Sequence, residues 1–102
     1  MKNTMITELV TIKVLETTTE GQMLNKADFL TNFLKKQDGY IDGELVKGID
    51  GNTWCFIYHF ESFEKVKAIG EKMRNERVFD MINPLVVPGG MTVTFYNPVK
   101  KW

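Results

Sequence analysis

The residues best suited to acid–base chemistry lie in one aromatic segment, NTWCFIYHFES, residues 52–62. It contains the only histidine of the chain, His59, and histidine is the side chain that most readily exchanges a proton near neutral pH. Beside a cleft, His59 would be the natural catalytic base for a phenol or a hydroquinone. The alternative is a structural histidine that packs beneath a helix.

The same segment holds the only cysteine and the only serine of the chain, Cys55 and Ser62. Cys55 and His59 would share one face of a strand, but at about 3.3 Å per residue they lie roughly 13 Å apart. That distance excludes a shared metal ion or a nucleophile pair. Ser62 is better placed to cap a helix. We therefore expect no metal site and no internal disulfide, and the lone cysteine fits a reducing compartment.

Strand alternation divides residues 53–60 into two apolar faces. One face bears Trp54, Phe56, Tyr58 and Phe60, and the other bears Cys55, Ile57 and His59. Trp54, Tyr58 and Phe60 could line a pocket for a planar ligand, with the Tyr58 hydroxyl as a hydrogen-bond donor. Such a row is more commonly plain core or interface. The sequence leaves open which face meets the helices.

Two carboxylates, Glu8 and Glu44, interrupt otherwise apolar strand patterns. If either is buried, its pKa would be raised into the range useful for acid–base catalysis. Alternatively, both lie at a strand edge and pair with a lysine such as Lys13 or Lys47. The sequence is compatible with both interpretations.

Hydrophobic periodicity predicts six elements that position these residues. The expected ranges are a strand at 5–15, a helix ending at 35–36, strands at 40–48 and 53–60, a helix after residue 62, a short helix at 75–82 and a strand at 91–96. The first helix is capped either by Thr19, which has capping-box spacing to Gln22, or by Asn25. The segment NPLVVPGG, residues 83–90, is expected to be an apolar loop over a cavity mouth or a dimer seam.

The order β-α-β-β-α-β predicts one α+β domain over residues 1–102, of the ferredoxin-like split βαβ type. Two helices cover only one face of its four-stranded antiparallel sheet. A second copy is the expected cover for the other face, so we predict a homodimer through the sheet face, with the aromatic row buried in the interface.

Charge and hydropathy narrow the possible partners. Thirteen basic and thirteen acidic side chains cancel, which argues against binding to nucleic acid or to an anionic membrane surface. The apolar runs are too short to span a bilayer, and MKNTMITEL lacks the apolar stretch of a signal peptide. We therefore expect a cytoplasmic protein.

The sequence also resembles the antibiotic biosynthesis monooxygenase-like family of the dimeric α/β barrel superfamily. The resemblance covers most of the chain. Its features are Gly-Tyr-Ile at 39–41 followed by Glu-Leu at 44–45, a third strand that ends in Phe-Glu-Ser at 60–62, Phe79 in a short helix, and Pro84.

The resemblance implies a small hydrophobic cavity between sheet and helices, and oxidation of an aromatic or quinol-like metabolite by O2 without a bound cofactor. Phe60 stands where such proteins often have Trp, and it lacks the indole N–H donor. A haem-degrading branch uses a histidine from the short helix, whereas residues 75–83, which end at Asn83, contain none. Haem ligation by that route is not expected. The site predicted on this basis has His59 as catalytic base and a substrate pocket formed by Trp54, Tyr58, Phe60, Met73, Phe79 and Asn83.

Two functions therefore remain open. One is a cofactor-independent monooxygenase with a hydrophobic small-molecule substrate. The other is a non-catalytic dimeric protein of the same fold that binds a small molecule or another protein. Fold alone does not decide between them.

Overall fold

The computed structural model describes residues 4–102. Its elements are β1 (Ile6–Val14), α1 (Glu20–Lys35), β2 (Tyr40–Lys47), β3 (Thr53–Phe60), α2 (Phe63–Asn75), two 3-10 turns (Val78–Met81 and Asn83–Leu85) and β4 (Val86–Tyr96). The strands form one antiparallel sheet in the order β2-β3-β1-β4. This arrangement confirms the ferredoxin-like α+β fold.

Both helices begin at side-chain caps. Thr19 and Gln22 form the predicted capping box at the start of α1, so the alternative cap at Asn25 is wrong and that residue lies inside the helix. Ser62 caps α2 by accepting a hydrogen bond from the backbone N–H of Lys65. These caps satisfy backbone N–H groups that have no partner inside a helix. They fix where each helix crosses the sheet.

The segment 75–90 differs from its prediction. Helix α2 continues to Asn75, and two short 3-10 turns replace the expected single helix. Residues 86–90 are not a lid, because β4 starts at Val86 and pairs with β1 through Val14. Pro88 is tolerated there because β4 is an edge strand whose N–H groups need not all join the ladder.

The aromatic row of β3 faces the helices. Trp54, Phe56, Tyr58 and Phe60 are all buried in the core, so the prediction that this row lies in a dimer interface is wrong. The rings of Phe56 and Tyr58 stack with their centroids 5.5 Å apart. Gly43 lies opposite Tyr58 in the register, and a Cβ there would come within 2.5 Å of the Tyr58 ring. A strand glycine is therefore what allows the ring to lie flat against β2.

The other face of the sheet carries no helix. Residues at the alternate positions of β3, together with Leu9 of β1 and Val46 of β2, lie on this outer face and are partly or fully exposed.

Among residues 4–102, no helix combines the length and apolar character needed to cross a membrane.

Candidate functional site

A cavity of about 480 Å³ opens between α2, the end of α1 and the central strands of the sheet. Its size is within the range of small-molecule sites, roughly 300 to 1,000 Å³. The walls are mainly aliphatic and aromatic, and they include residues of α2 and of edge strand β4. Phe63 of α2 and Phe95 of β4 meet edge to face beside the mouth, with centroids 5.5 Å apart.

Glu8 is the carboxylate that the sheet contributes to the cavity wall. Strand alternation places it on the helix face of β1, between the buried residues Ile6 and Val10. Within residues 4–102, its carboxyl group has no hydrogen-bond or ion-pair partner. Burial raises the pKa of Glu8 from 4.5 to about 7, because the apolar surroundings disfavour its charged form. At neutral pH the group can therefore both accept and donate a proton.

Tyr58 faces Glu8 across the strand pair. The two residues are direct partners in the β1–β3 register, and both line the cavity. The Tyr58 hydroxyl shares a hydrogen bond of 3.3 Å with the Thr31 hydroxyl of α1. Burial raises the pKa of the Tyr58 phenol well above its usual value, and the charges of Tyr40 and Glu8 act in the same direction. Tyr58 is thus held as a neutral donor near an unpaired carboxyl group.

The mouth of the cavity is charged. Lys67, Glu71 and Arg74 follow one another at helical spacing on α2 and line the opening. No ion pair within 4.0 Å joins them in the described chain. Gly70 lies among them, and a Cβ there would meet only the end of the Arg74 side chain, at 3.5 Å. The cavity therefore has open space where most helices carry a side chain.

The structure brings together four of the predicted site residues. Tyr58, Phe60, Met73 and Phe79 line the cavity. Trp54 lies at the opposite end of β3, where the Lys47 ammonium group lies 5.1 Å from its ring centroid, and it does not line the cavity. Asn83 lies in the second 3-10 turn and is exposed. Neither Trp54 nor Asn83 can contact a ligand in this cavity.

His59 also lies outside the cavity, which corrects the prediction that it serves there as catalytic base. It has the opposite orientation to Tyr58 and Phe60, because successive strand residues point to opposite faces. Its Nδ1 atom lies 2.5 Å from a carboxylate oxygen of Asp42 on the neighbouring strand. The sheet separates His59 from the cavity.

The second candidate carboxylate, Glu44, is exposed on the outer face of β2. Only Glu8 therefore fulfils the buried interpretation that the sequence left open. The sequence already contained the signal for this buried carboxylate, which is a single acidic residue within the apolar face of a strand. Within the described part of the chain, no group of three or more histidine, cysteine and carboxylate side chains could bind a metal ion.

No protein-family model matches the sequence, and no curated protein matches it. Solved structures share its fold at low identity. SnoaB, a cofactor-independent oxygenase from Streptomyces nogalater, is 10% identical with a TM-score of 0.82, and the match covers 96% of each chain. A putative antibiotic biosynthesis monooxygenase from Nitrosomonas europaea is 11% identical with a TM-score of 0.79, covering 97% of this chain and 94% of that chain. A hydroxynitrile lyase from Passiflora edulis is 10% identical with a TM-score of 0.79, covering 99% of both chains.

These structures confirm the resemblance to antibiotic biosynthesis monooxygenase-like proteins at the level of the fold. An oxygenase and a lyase both adopt it. The fold is therefore compatible with more than one reaction, and the residues of the cavity must decide between them.

Proposed function

We propose that this protein is a cofactor-independent monooxygenase that oxidises a small aromatic or quinol-like molecule in the cavity, with Glu8 as catalytic base. The observation that carries the proposal is the unpaired Glu8 carboxyl on an apolar wall, with its pKa raised to about 7. A base with this pKa is half ionised at neutral pH, where proton transfer from a weakly acidic substrate is most effective.

The reaction needs no electron donor besides the substrate. Glu8 removes a proton from a phenol or from a methylene group of an anthrone-like ring, and the resulting anion is rich enough in electrons to reduce O2. When the ring CH2 becomes a carbonyl, one oxygen atom of O2 enters the product and the other leaves as water. The apolar walls limit the contact of the anion with water, which slows its reprotonation from solvent.

The cavity residues fit a flat ligand. Phe60, Met73 and Phe79 provide apolar contact, and the thioether of Met73 adapts to irregular shapes. The indole N–H that relatives of this fold often have at position 60 is missing, but the Tyr58 hydroxyl on the same face of β3 offers a hydrogen bond. SnoaB, which shares this fold, is a cofactor-independent oxygenase, and this supports the same class of reaction.

The partner of the outer face is a second copy of the chain. Leu9 and Ile57 are direct neighbours there, and with Val46 they form an apolar strip that no element of the described chain covers. Face-to-face packing of two such sheets would bury this strip, as in obligate homodimers. The His59–Asp42 pair would then lie within or beside the interface, which gives it a structural role.

The test is oxygen uptake with a panel of hydroquinones and anthrones. The parent protein and Glu16→Gln, which changes an exposed carboxylate outside the cavity and off the sheet, should consume O2 at the same rate. Glu8→Gln should lose roughly a hundredfold or more, the typical contribution of a positioned base. Saturable binding of these compounds without oxygen uptake would instead assign the alternative, a non-catalytic small-molecule-binding protein.

A further inference from the structure

The Glu8–Tyr58 pair is suited to a reaction that involves no oxygen. Direct partners in an antiparallel pair have Cβ atoms about 4.5 to 5.5 Å apart, and both side chains point to the same cavity. A carboxylate and a phenol so placed can contact neighbouring atoms of one small substrate. One of them accepts a proton, and the other donates a hydrogen bond.

We infer that the cavity catalyses the enolisation of a flat, largely apolar ketone, with Glu8 as the base and Tyr58 as the hydrogen-bond donor to the carbonyl oxygen. The inference rests on the same base as the proposed function, but it goes beyond it because the substrate class is a carbonyl compound and no oxidant takes part.

The step balances without a co-reactant. Glu8 takes a proton from the carbon next to the carbonyl group, and the electron pair of that C–H bond moves into the new C=C bond as the carbonyl oxygen becomes an enolate. Return of the proton to the same carbon completes an exchange reaction. Return of the proton to the far carbon of a conjugated system completes a double-bond isomerisation.

The surroundings keep each group in the state that this reaction requires. Thr31 and Tyr58 share one hydrogen bond, in which either oxygen can be the donor. When Thr31 donates, the phenolic hydrogen of Tyr58 is free for the substrate. Tyr58 is buried and has a raised pKa, so it remains protonated and stabilises an enolate by donation rather than by proton loss. Donors aimed at a developing oxyanion in a dry site are among the strongest contributors to catalysis.

The walls indicate the shape of the ketone. Above Glu8 and Tyr58 the cavity is bounded by aliphatic side chains of both helices, including Leu30, Leu34 and Val66. These surfaces fit a ring system of two or three fused rings that places its carbonyl edge against the strands. A small polar ketone would leave the apolar walls in contact with water and would bind weakly.

The experiment is hydrogen–deuterium exchange in D2O without oxygen, with 2-tetralone, 1-indanone and 1-tetralone as probes and NMR as the readout. The parent protein and the control Glu16→Gln, at an exposed acid outside the cavity and off the sheet, should exchange the protons next to the carbonyl group well above the buffer rate. Glu8→Gln should slow this exchange by roughly a hundredfold or more, and Tyr58→Phe by about a hundredfold. Circular dichroism of each variant checks its fold, and Glu8→Asp provides a second variant that keeps the acid but withdraws it from the substrate.

The outcomes separate the two proposals. Glu8-dependent exchange with no oxygen uptake for any quinol supports the enolisation and refutes the monooxygenase. Glu8-dependent oxygen uptake, with exchange of all three probes no faster in the parent protein than in Glu8→Gln, overturns the enolisation and leaves the monooxygenase standing. Exchange that is lost in Glu8→Gln but unchanged in Tyr58→Phe also overturns the inference as stated, because the donor would then be another group.

Discussion

Replacing Glu8 with glutamine should change how the stability of the protein depends on pH. In the folded chain, burial raises the pKa of this carboxyl from 4.5 to about 7, so folding favours its protonated form. Below pH 4.5 the folded and unfolded chains both hold the proton, and the contribution of Glu8 to the free energy of unfolding is then at its most favourable. As the pH rises toward 7, the unfolded chain releases the proton first, and the free energy of unfolding falls.

The magnitude follows from the two pKa values. The interval from 4.5 to about 7 corresponds to about 3.5 kcal/mol, at about 1.4 kcal/mol for each pH unit. Because the cavity is open at its mouth, water partly hydrates the charged form, and we expect about 2 to 3 kcal/mol. Glutamine has nearly the same shape and does not titrate. The stability of Glu8→Gln minus that of the parent should therefore increase by this amount between pH 4.5 and pH 8.5.

The assay is urea denaturation of both proteins at several pH values and one fixed protein concentration. Other charged groups around the cavity, namely Lys67, Glu71 and Arg74, are the same in both proteins, so their titration cancels in the difference. Glu16→Gln, which changes an exposed acid between β1 and α1, serves as the control and should follow the parent curve. A difference between Glu8→Gln and the parent that stays constant from pH 4.5 to 8.5 would refute the reasoning, as would a Glu8 carboxyl resonance that titrates near 4.5.

Four further substitutions test the placement of the cavity and of the two sheet faces. Gly70→Leu should fill the cavity and abolish binding of anthrone in calorimetric titrations, while the better helix former raises the free energy of unfolding by up to about 1 kcal/mol. Ala68→Leu, on the exposed side of the same helix, should bind normally, and normal binding by Gly70→Leu would place the ligand elsewhere. Gly43→Ala should destabilise the fold by about 1 to 3 kcal/mol in thermal unfolding, because its Cβ would clash with the ring of the tyrosine opposite; an unchanged melting temperature would contradict that packing. Ile57→Glu should turn the proposed dimer into a monomer in light scattering without loss of ligand binding, since Glu44 lies directly opposite and unpaired negative charges in an interface cost several kcal/mol; a dimer that survives it would point to another interface. His59→Ala should leave proton exchange and oxygen uptake per chain unchanged, and a large loss in either rate would restore His59 as a candidate base.

The fold could be predicted from the sequence because its signals are local and agree with each other. The capping box at Thr19, the cap at Ser62 and the alternation in β3 each specify an element without reference to the rest of the chain. The segment 83–90 was predicted wrongly because proline and glycine normally indicate a loop. Its pairing with β1 is a long-range contact that no local pattern reveals.

The candidate site could be predicted only in part, for a different physical reason. Periodicity shows that Tyr58 and Phe60 share a face and that His59 lies on the other, but it does not show which face the helices cover. Which face the helices cover depends on how much apolar area the whole sheet buries on each side. The covered face then decides which residues line the cavity and which lie on the outer face. The same missing information left Glu8 and Glu44 equivalent in the sequence, although one lines an apolar cavity and the other lies on the outer face of the sheet.

Strand β3 serves two surfaces that can evolve separately. Its even-numbered residues, from Trp54 to Phe60, form the core and the cavity wall, while its odd-numbered residues form the outer face. A substitution on one set leaves the other in place, so the helix-facing surface and the outer surface of the strand can change independently. An insertion or deletion of one residue has the opposite effect, because it exchanges the two sets at once. The length of this strand is therefore under stronger constraint than any single side chain it carries.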